Sequence, residues 1–257
     1  MPAAADAAWL RDDMTARYDT LGVGYTHRRV PDARISTQIT RALGDARTVV
    51  NVGAGTGAYE PRDLTVVAVE PAATMIAQRV SGAAPVVQAV AGSLPFDDRS
   101  FDAALCSLTI HHWPDWRAGL HEVRRVTRGR IVVFHFDLDA QRDFWLLGDY
   151  LPEALSLAAP SVAEVARELG RSRVEVVPVA RDCTDGFLCA YWNRPEAYLD
   201  PAVRAAISTF HLLGPSVCER AITALARDLD SGAWDERHGH LRALDEADLG
   251  YRLIVSG

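Results

Sequence analysis

Thr48-Val-Val-Asn-Val-Gly-Ala-Gly-Thr-Gly-Ala58 is the stretch on which the reading of this chain turns. Val49, Val50 and Val52 form a short β-branched run, the pattern of a strand covered on both faces. Glycine then stands at 53, 55 and 57. Lacking a Cβ, these positions let the chain turn at positive φ and let a ligand lie against the backbone. The stretch reads as a buried strand that runs into a ligand-cradling loop.

Outward from this loop, strand-like and helix-like pieces alternate, with strands over about 48–52, 65–69, 86–89, 101–106, 130–136, 173–179 and 251–255. Alternation of this kind predicts a parallel sheet with crossover helices. Seven strands joined by right-handed crossovers give an α/β fold with a Rossmann-like, doubly wound, mostly parallel sheet. Ahead of the first strand, Trp9, Leu10, Met14 and Tyr18 recur at helical spacing, and a second helix over about 34–44 stops at Gly44.

Two segments, 137–160 and about 180–250, are too long to be simple connections. The expected division is a helical lid over 1–47, a Rossmann-like core over 48–180, a helical insertion or cap over 181–250 and a final core strand over 251–257. The aromatics Phe187, Tyr191, Trp192, Tyr198 and Phe210 either anchor the cap to the sheet or wall an acceptor pocket.

At 257 residues, 49% hydrophobic and 24% charged, the chain suits one large α/β domain. A formal charge of -7 argues against nucleic acid as the principal partner. Cys106, Cys183, Cys189 and Cys218 show no metal-ligand spacing, and His238 and His240 have no further ligands nearby, so no metal is expected. Without a membrane-length apolar run or a basic segment leading an apolar one, the expectation is a cytoplasmic protein with no membrane partner.

Glu70 ends the second strand, where a carboxylate can accept both hydroxyls of a ribose. Gly53-x-Gly55-x-x-Ala58 also satisfies the relaxed dinucleotide fingerprint, so the glycines and Glu70 alone suit either NAD or S-adenosylmethionine. An oxidoreductase and a non-catalytic binding module are the competing readings at this point.

Five pieces in order, Val49 to Gly57, Val67-Ala-Val-Glu-Pro71 with Met75, Leu94-Pro-Phe-Asp-Asp-Arg-Ser-Phe-Asp102, His111-His-Trp-Pro-Asp115 and Arg130-Ile-Val-Val-Phe134, span residues 48–136. Together they resemble the class I S-adenosylmethionine-dependent methyltransferases, in particular the bacterial group acting on small molecules. The resemblance implies S-adenosylmethionine as cofactor, S-adenosylhomocysteine as product and a small organic acceptor. It places Gly53, Gly55 and Gly57 beneath the methionine portion, Glu70 at the ribose, and Met75, Ala91 and Gly92 around the adenine, with Pro71 also among the cofactor-binding residues. Cys106 would sit near the methionine moiety. Asn51 stands where many relatives carry an acid facing the cofactor ammonium, and Val90 where many carry an aspartate.

The N-terminal helix of this family often closes over the cofactor, so Tyr18, Tyr25, Arg28 and Arg29 either join the site, an arginine pairing with the cofactor carboxylate, or form a solvated basic turn. Methyl transfer from a sulfonium needs alignment above all, and a base only when the acceptor loses a proton. His111 and His112 are the candidates, either as that base or as structural residues beside Trp113 and Pro114. His121, Glu122, Arg124 and Arg125 read as a solvent-facing helix surface.

Overall fold

The computed structural model describes residues 29–257. Tyr18, Tyr25 and Arg28, with the helix expected over 6–21, lie outside them. Helix α1 (Ala33–Leu43) begins where the Asp32 side chain accepts the N–H of Arg34, and ends at Gly44 with φ +68°. Its buried residues Ile35, Ile39, Ala42 and Leu43 share one face, which it lays on the sheet.

Strands β1 (Thr48–Val52) and β2 (Thr65–Val69) pair in parallel, followed by the short helix α2 (Ala73–Ala77) and β3 (Val86–Val87). Then come β4 (Ala103–Ser107), helix α3 (Trp116–Val126), β5 (Ile131–Phe136), helix α4 (Val162–Leu169) and β6 (Ser172–Val176). A two-residue strand β7 (Val179–Ala180) precedes four helices: α5 (Pro201–Ala205), α6 (Ser208–Leu213), α7 (Pro215–Ser231) and α8 (Ala233–His238). The described chain finishes with β8 (Glu246–Ala247) and β9 (Tyr251–Ser256).

The main sheet has seven strands in the order β3-β2-β1-β4-β5-β9-β6. Pairing is parallel from β3 through β5, whereas β9 runs antiparallel to both β5 and β6. The order reverses at β1, flanked by β2 and β4, and a doubly wound sheet binds ligands outside such a switch point. The strand expected over 173–179 is two strands. β6 stays in the main sheet, while β7 pairs with β8 in a separate ribbon that joins the two ends of the 181–246 excursion.

Every central strand is buried on both sides. Val49, Leu105, Phe134 and Leu253 face α1 and the helical insertion, while Val50, Val52, Cys106, Val133 and Ile254 face α3 and α4. The aromatics of 137–160 and 181–250 pack mainly on one another and on the first of these faces. Trp145 donates its indole N–H to the Trp192 carbonyl at 2.7 Å, and its ring meets Trp234 edge to face at 5.3 Å. Trp192, Trp234 and Tyr198 are fully buried, so both segments build a second aromatic core.

Candidate active site

The glycine loop is fixed by hydrogen bonds to the end of β2. Gly53 and Ala54 both donate to the Val69 carbonyl, at 2.8 and 3.0 Å, and Gly55 donates to Glu70 Oε2 at 2.8 Å. The other Glu70 oxygen accepts from Ala72 N–H at 3.0 Å. At Gly53, with φ +71°, an added Cβ would fall 1.9 Å from Thr109 Oγ1, so glycine there joins the loop to the segment after β4.

A cavity of about 370 Å³ opens at the carboxyl ends of β1, β2 and β4. Asn51, Gly53 and Gly55 form its floor, and Glu70, Pro71 and Met75 one side. Val90, Ala91 and Gly92 line it too, as do Arg29, Leu108, Thr109, His112 and Trp113. Two wall residues other than glycine hold positive φ, Tyr59 at +63° and Leu108 at +49°, so backbone strain falls at the cavity.

Three of the expected site residues lie outside this wall. Gly57 is absent from the wall, because its loop position turns toward Glu60 and Arg79. Cys106 is absent too, since strand parity points it into the α3 and α4 side of the core, where burial raises its thiol pKa far above the usual range. The wall residues of that strand end are Ser107 and Leu108. His111 is also outside the wall: it stacks behind His112 with ring centroids 3.8 Å apart and meets the edge of Phe136 at 4.8 Å. None of the described residues of 137–160 or 181–250 lines the cavity, because their aromatics are spent on the second core.

Desolvation sets the electrostatics. It pushes His112 from its ordinary 6.5 down to about 4, with Arg29 and His135 adding positive repulsion. His111 is held well below 6.5 for the same first reason, with His112 adding to it, and burial lowers His135 as well. Burial also raises Glu70 from its ordinary 4.5, against the two N–H groups that favour its ionised form.

Several contacts were not legible in the sequence. Arg29 donates to the buried Asp185 carboxylate through Nε at 2.5 Å, and Tyr59 donates its hydroxyl to the same group at 2.7 Å. The insertion thus reaches the cavity wall through Asp185, behind Arg29 and Tyr59. Trp113 donates to Thr109 Oγ1 at 3.2 Å and packs so closely on Gly119 that a Cβ there would come within 2.4 Å of the indole. The one signal for that contact was a glycine inside an otherwise regular helix.

Glu122 and Arg125 are not merely a solvated surface. Glu122 accepts from Leu94 N–H at 2.9 Å, while Arg125 donates to the carbonyls of Leu94 and Phe96 and to Asp98. The pair pins the Leu94–Asp98 turn that follows the Ala91-Gly92 wall. Among the described residues no group of histidine, cysteine, aspartate and glutamate could hold a metal ion, and no helix is long and apolar enough to cross a membrane.

The strand order, the glycine cradle, the buried acid at the end of β2 and the cavity at the switch point define a nucleoside-cofactor enzyme of the doubly wound class. A methyltransferase domain family matches residues 50–133. The chain is 32% identical to the demethylmenaquinone methyltransferase of Mycolicibacterium gilvum over 166 residues, 62% of this chain and 72% of that protein. A putative methyltransferase from an antibiotic biosynthesis pathway of Anabaena variabilis superposes with a TM-score of 0.84 at 33% identity, over 90% of this chain and 99% of that one. The [4+2]-cyclase SpnF shares the fold at 16% identity and a TM-score of 0.54, over 94% of this chain and 94% of that one.

The chain belongs to the class I S-adenosylmethionine-dependent methyltransferases. Its cofactor is therefore S-adenosylmethionine, and the nicotinamide reading of the glycine run falls away. The residues present fit that cofactor: a buried carboxylate ends β2, the floor is glycine, and the Asn51 amide oxygen is buried without a partner among the described residues.

Proposed function

We propose that this methyltransferase acts on a small organic acceptor bearing an acidic O–H or C–H proton. The observation that carries this reading is His112, an imidazole kept neutral at physiological pH in the cavity wall beside Trp113 and Leu108. When bound, S-adenosylmethionine supplies an activated sulfonium methyl group. His112 takes the acceptor proton, while Leu108 and Trp113 orient the acceptor and exclude water. His111 backs His112 and fixes its ring.

In this reading Glu70 holds the ribose diol, Met75, Ala91 and Gly92 border the adenine, and Asn51, Gly53 and Gly55 carry the methionine end. Arg29, at the wall, offers its charge to the cofactor carboxylate in the role expected of Arg28, while Tyr18 and Arg28 retain their proposed part in a cover formed by the residues ahead of α1. The 181–250 insertion serves as the anchor of that cover through Asp185. The relatives named as demethylmenaquinone methyltransferases support an acceptor that is an organic molecule and not a macromolecule.

The test is transfer of labelled methyl to a panel of phenols, quinols and enolisable carbonyl compounds. Turnover on at least one of them, reduced about 10²–10⁴-fold in His112→Asn, supports the proposal. Transfer to protein or nucleic acid in place of every small acceptor overturns it.

A further inference from the structure

Beneath the glycine loop lies a charged network that none of these roles uses. Arg79 and Glu60, with side chains 6% and 8% exposed, pair at 2.7 Å. Arg79 also donates to the carbonyls of Gly55 at 3.1 Å and Ala84 at 3.0 Å. Glu60 accepts from Ala84 N–H at 3.1 Å and from the Asn51 side-chain amide at 3.2 Å.

A carboxylate tied to a guanidinium can only accept hydrogen bonds. The Asn51 atom facing it must therefore be the NH₂ group, and the amide has one allowed orientation. Asn51 is 1% exposed and belongs to the cavity floor, and its oxygen is buried with no partner among the described residues. An unmet amide oxygen in that position is an acceptor waiting for a donor.

We infer that Glu60 is a positioning residue: braced by Arg79, it locks the Asn51 amide so that its oxygen, not its NH₂, meets the α-ammonium of the cofactor. The inference rests on the proposed placement of the methionine end over this floor. Gly57 belongs to the same device, since a Cβ there would lie 3.1 Å from Glu60 Oε2 and 3.3 Å from Arg79. An aspartate at 51 would set a second carboxylate against Glu60, which an amide avoids.

Calorimetry with S-adenosylhomocysteine and its deamino analogue, which keeps the thioether and carboxylate but lacks the ammonium, tests the inference. The wild-type protein should prefer S-adenosylhomocysteine by about tenfold or more. Glu60→Gln can donate as well as accept, so it releases the amide and should erase this preference while affinity for the deamino analogue is unchanged. Loss of fold would lower both affinities together. Asn51→Leu, which leaves the Glu60–Arg79 pair in place, should erase the preference as well. A folded Glu60→Gln protein that keeps the wild-type preference overturns the inference, and so does Asn51→Leu keeping it. Wild-type protein that binds neither compound overturns the site reading itself.

Discussion

Gly55 and Glu70 are joined by a 2.8 Å hydrogen bond from backbone N–H to carboxylate, so the loop after β1 and the end of β2 are one rigid unit. If Glu70 holds the ribose as proposed, removing the carboxylate acts twice, on the ribose and on the loop. Glu70→Ala is expected to weaken S-adenosylhomocysteine binding by about 1–3 kcal/mol, read by calorimetry. Unchanged affinity would dismiss Glu70 as the ribose ligand.

Glu70 also carries a pH signature. Its folded pKa is raised by burial above the ordinary 4.5, so the folded state binds a proton that the unfolded chain has already released. Its contribution to stability is most favourable below 4.5 and declines as pH rises through the folded value. Melts of the cofactor-free protein should show Glu70→Gln gaining on wild type across that rise, and parallel curves would contradict it.

The glycines of the loop should fail in different ways. Gly53→Ala forces a Cβ to 1.9 Å from Thr109 Oγ1 and should cost about 3 kcal/mol or more of folding stability. Gly55→Ala, with φ +53° and Met75 at 3.3 Å, should cost about 1–2 kcal/mol and chiefly impair cofactor binding. Chemical denaturation of the two variants checks the order, and a Gly53→Ala protein as stable as Gly55→Ala would refute it.

Acid should unfold this protein through its histidines. His112 has a folded pKa of about 4 against an ordinary 6.5, and His111 and His135 shift the same way. The unfolded chain therefore takes up protons that the folded state refuses, so stability is complete above 6.5 and is lost as pH falls toward 4. His111→Phe keeps a ring against Phe136 and should flatten that loss in melts between those values. An unaltered pH slope would show that the destabilisation comes from elsewhere.

Asp185 is the buried hub for Arg29 and Tyr59. Asp185→Asn leaves Arg29 facing a neutral group and should lower stability by about 3–5 kcal/mol, while Tyr59→Phe should cost about 1 kcal/mol. Denaturant titration separates them. Equal small losses would mean that the hub is solvated and weak.

Much of this was legible because local chemistry and fold agree. The valines of β1, the glycines and Glu70 each announce a strand, a turn and an acid at a strand end, and the structure places all three together. What stayed hidden is long-range. Arg29 and Asp185 are 156 residues apart, and nothing in either neighbourhood names the other. Cys106 misleads because a strand buried on both faces gives no parity signal, so which residue turns toward the cavity cannot be read from its apolar run. Gly57 reads as cradle like its neighbours, although it makes room for Glu60 and Arg79. The antiparallel direction of β9 is equally silent, since an apolar strand spells the same text in either direction.

That last strand governs the order in which the sheet can be completed. β9 lies between β5 and β6, and it is the sole partner of β6 in the sheet. On a ribosome, β6 therefore emerges with no strand to join, and the outer edge of β5 stays open while the whole helical excursion is made. Val174 and Val176 remain 47% exposed on β6 even in the finished sheet. Nascent chains thus spend the synthesis of residues 177–250 with two unsaturated strand edges, the window in which chaperone capture or aggregation competes with closure.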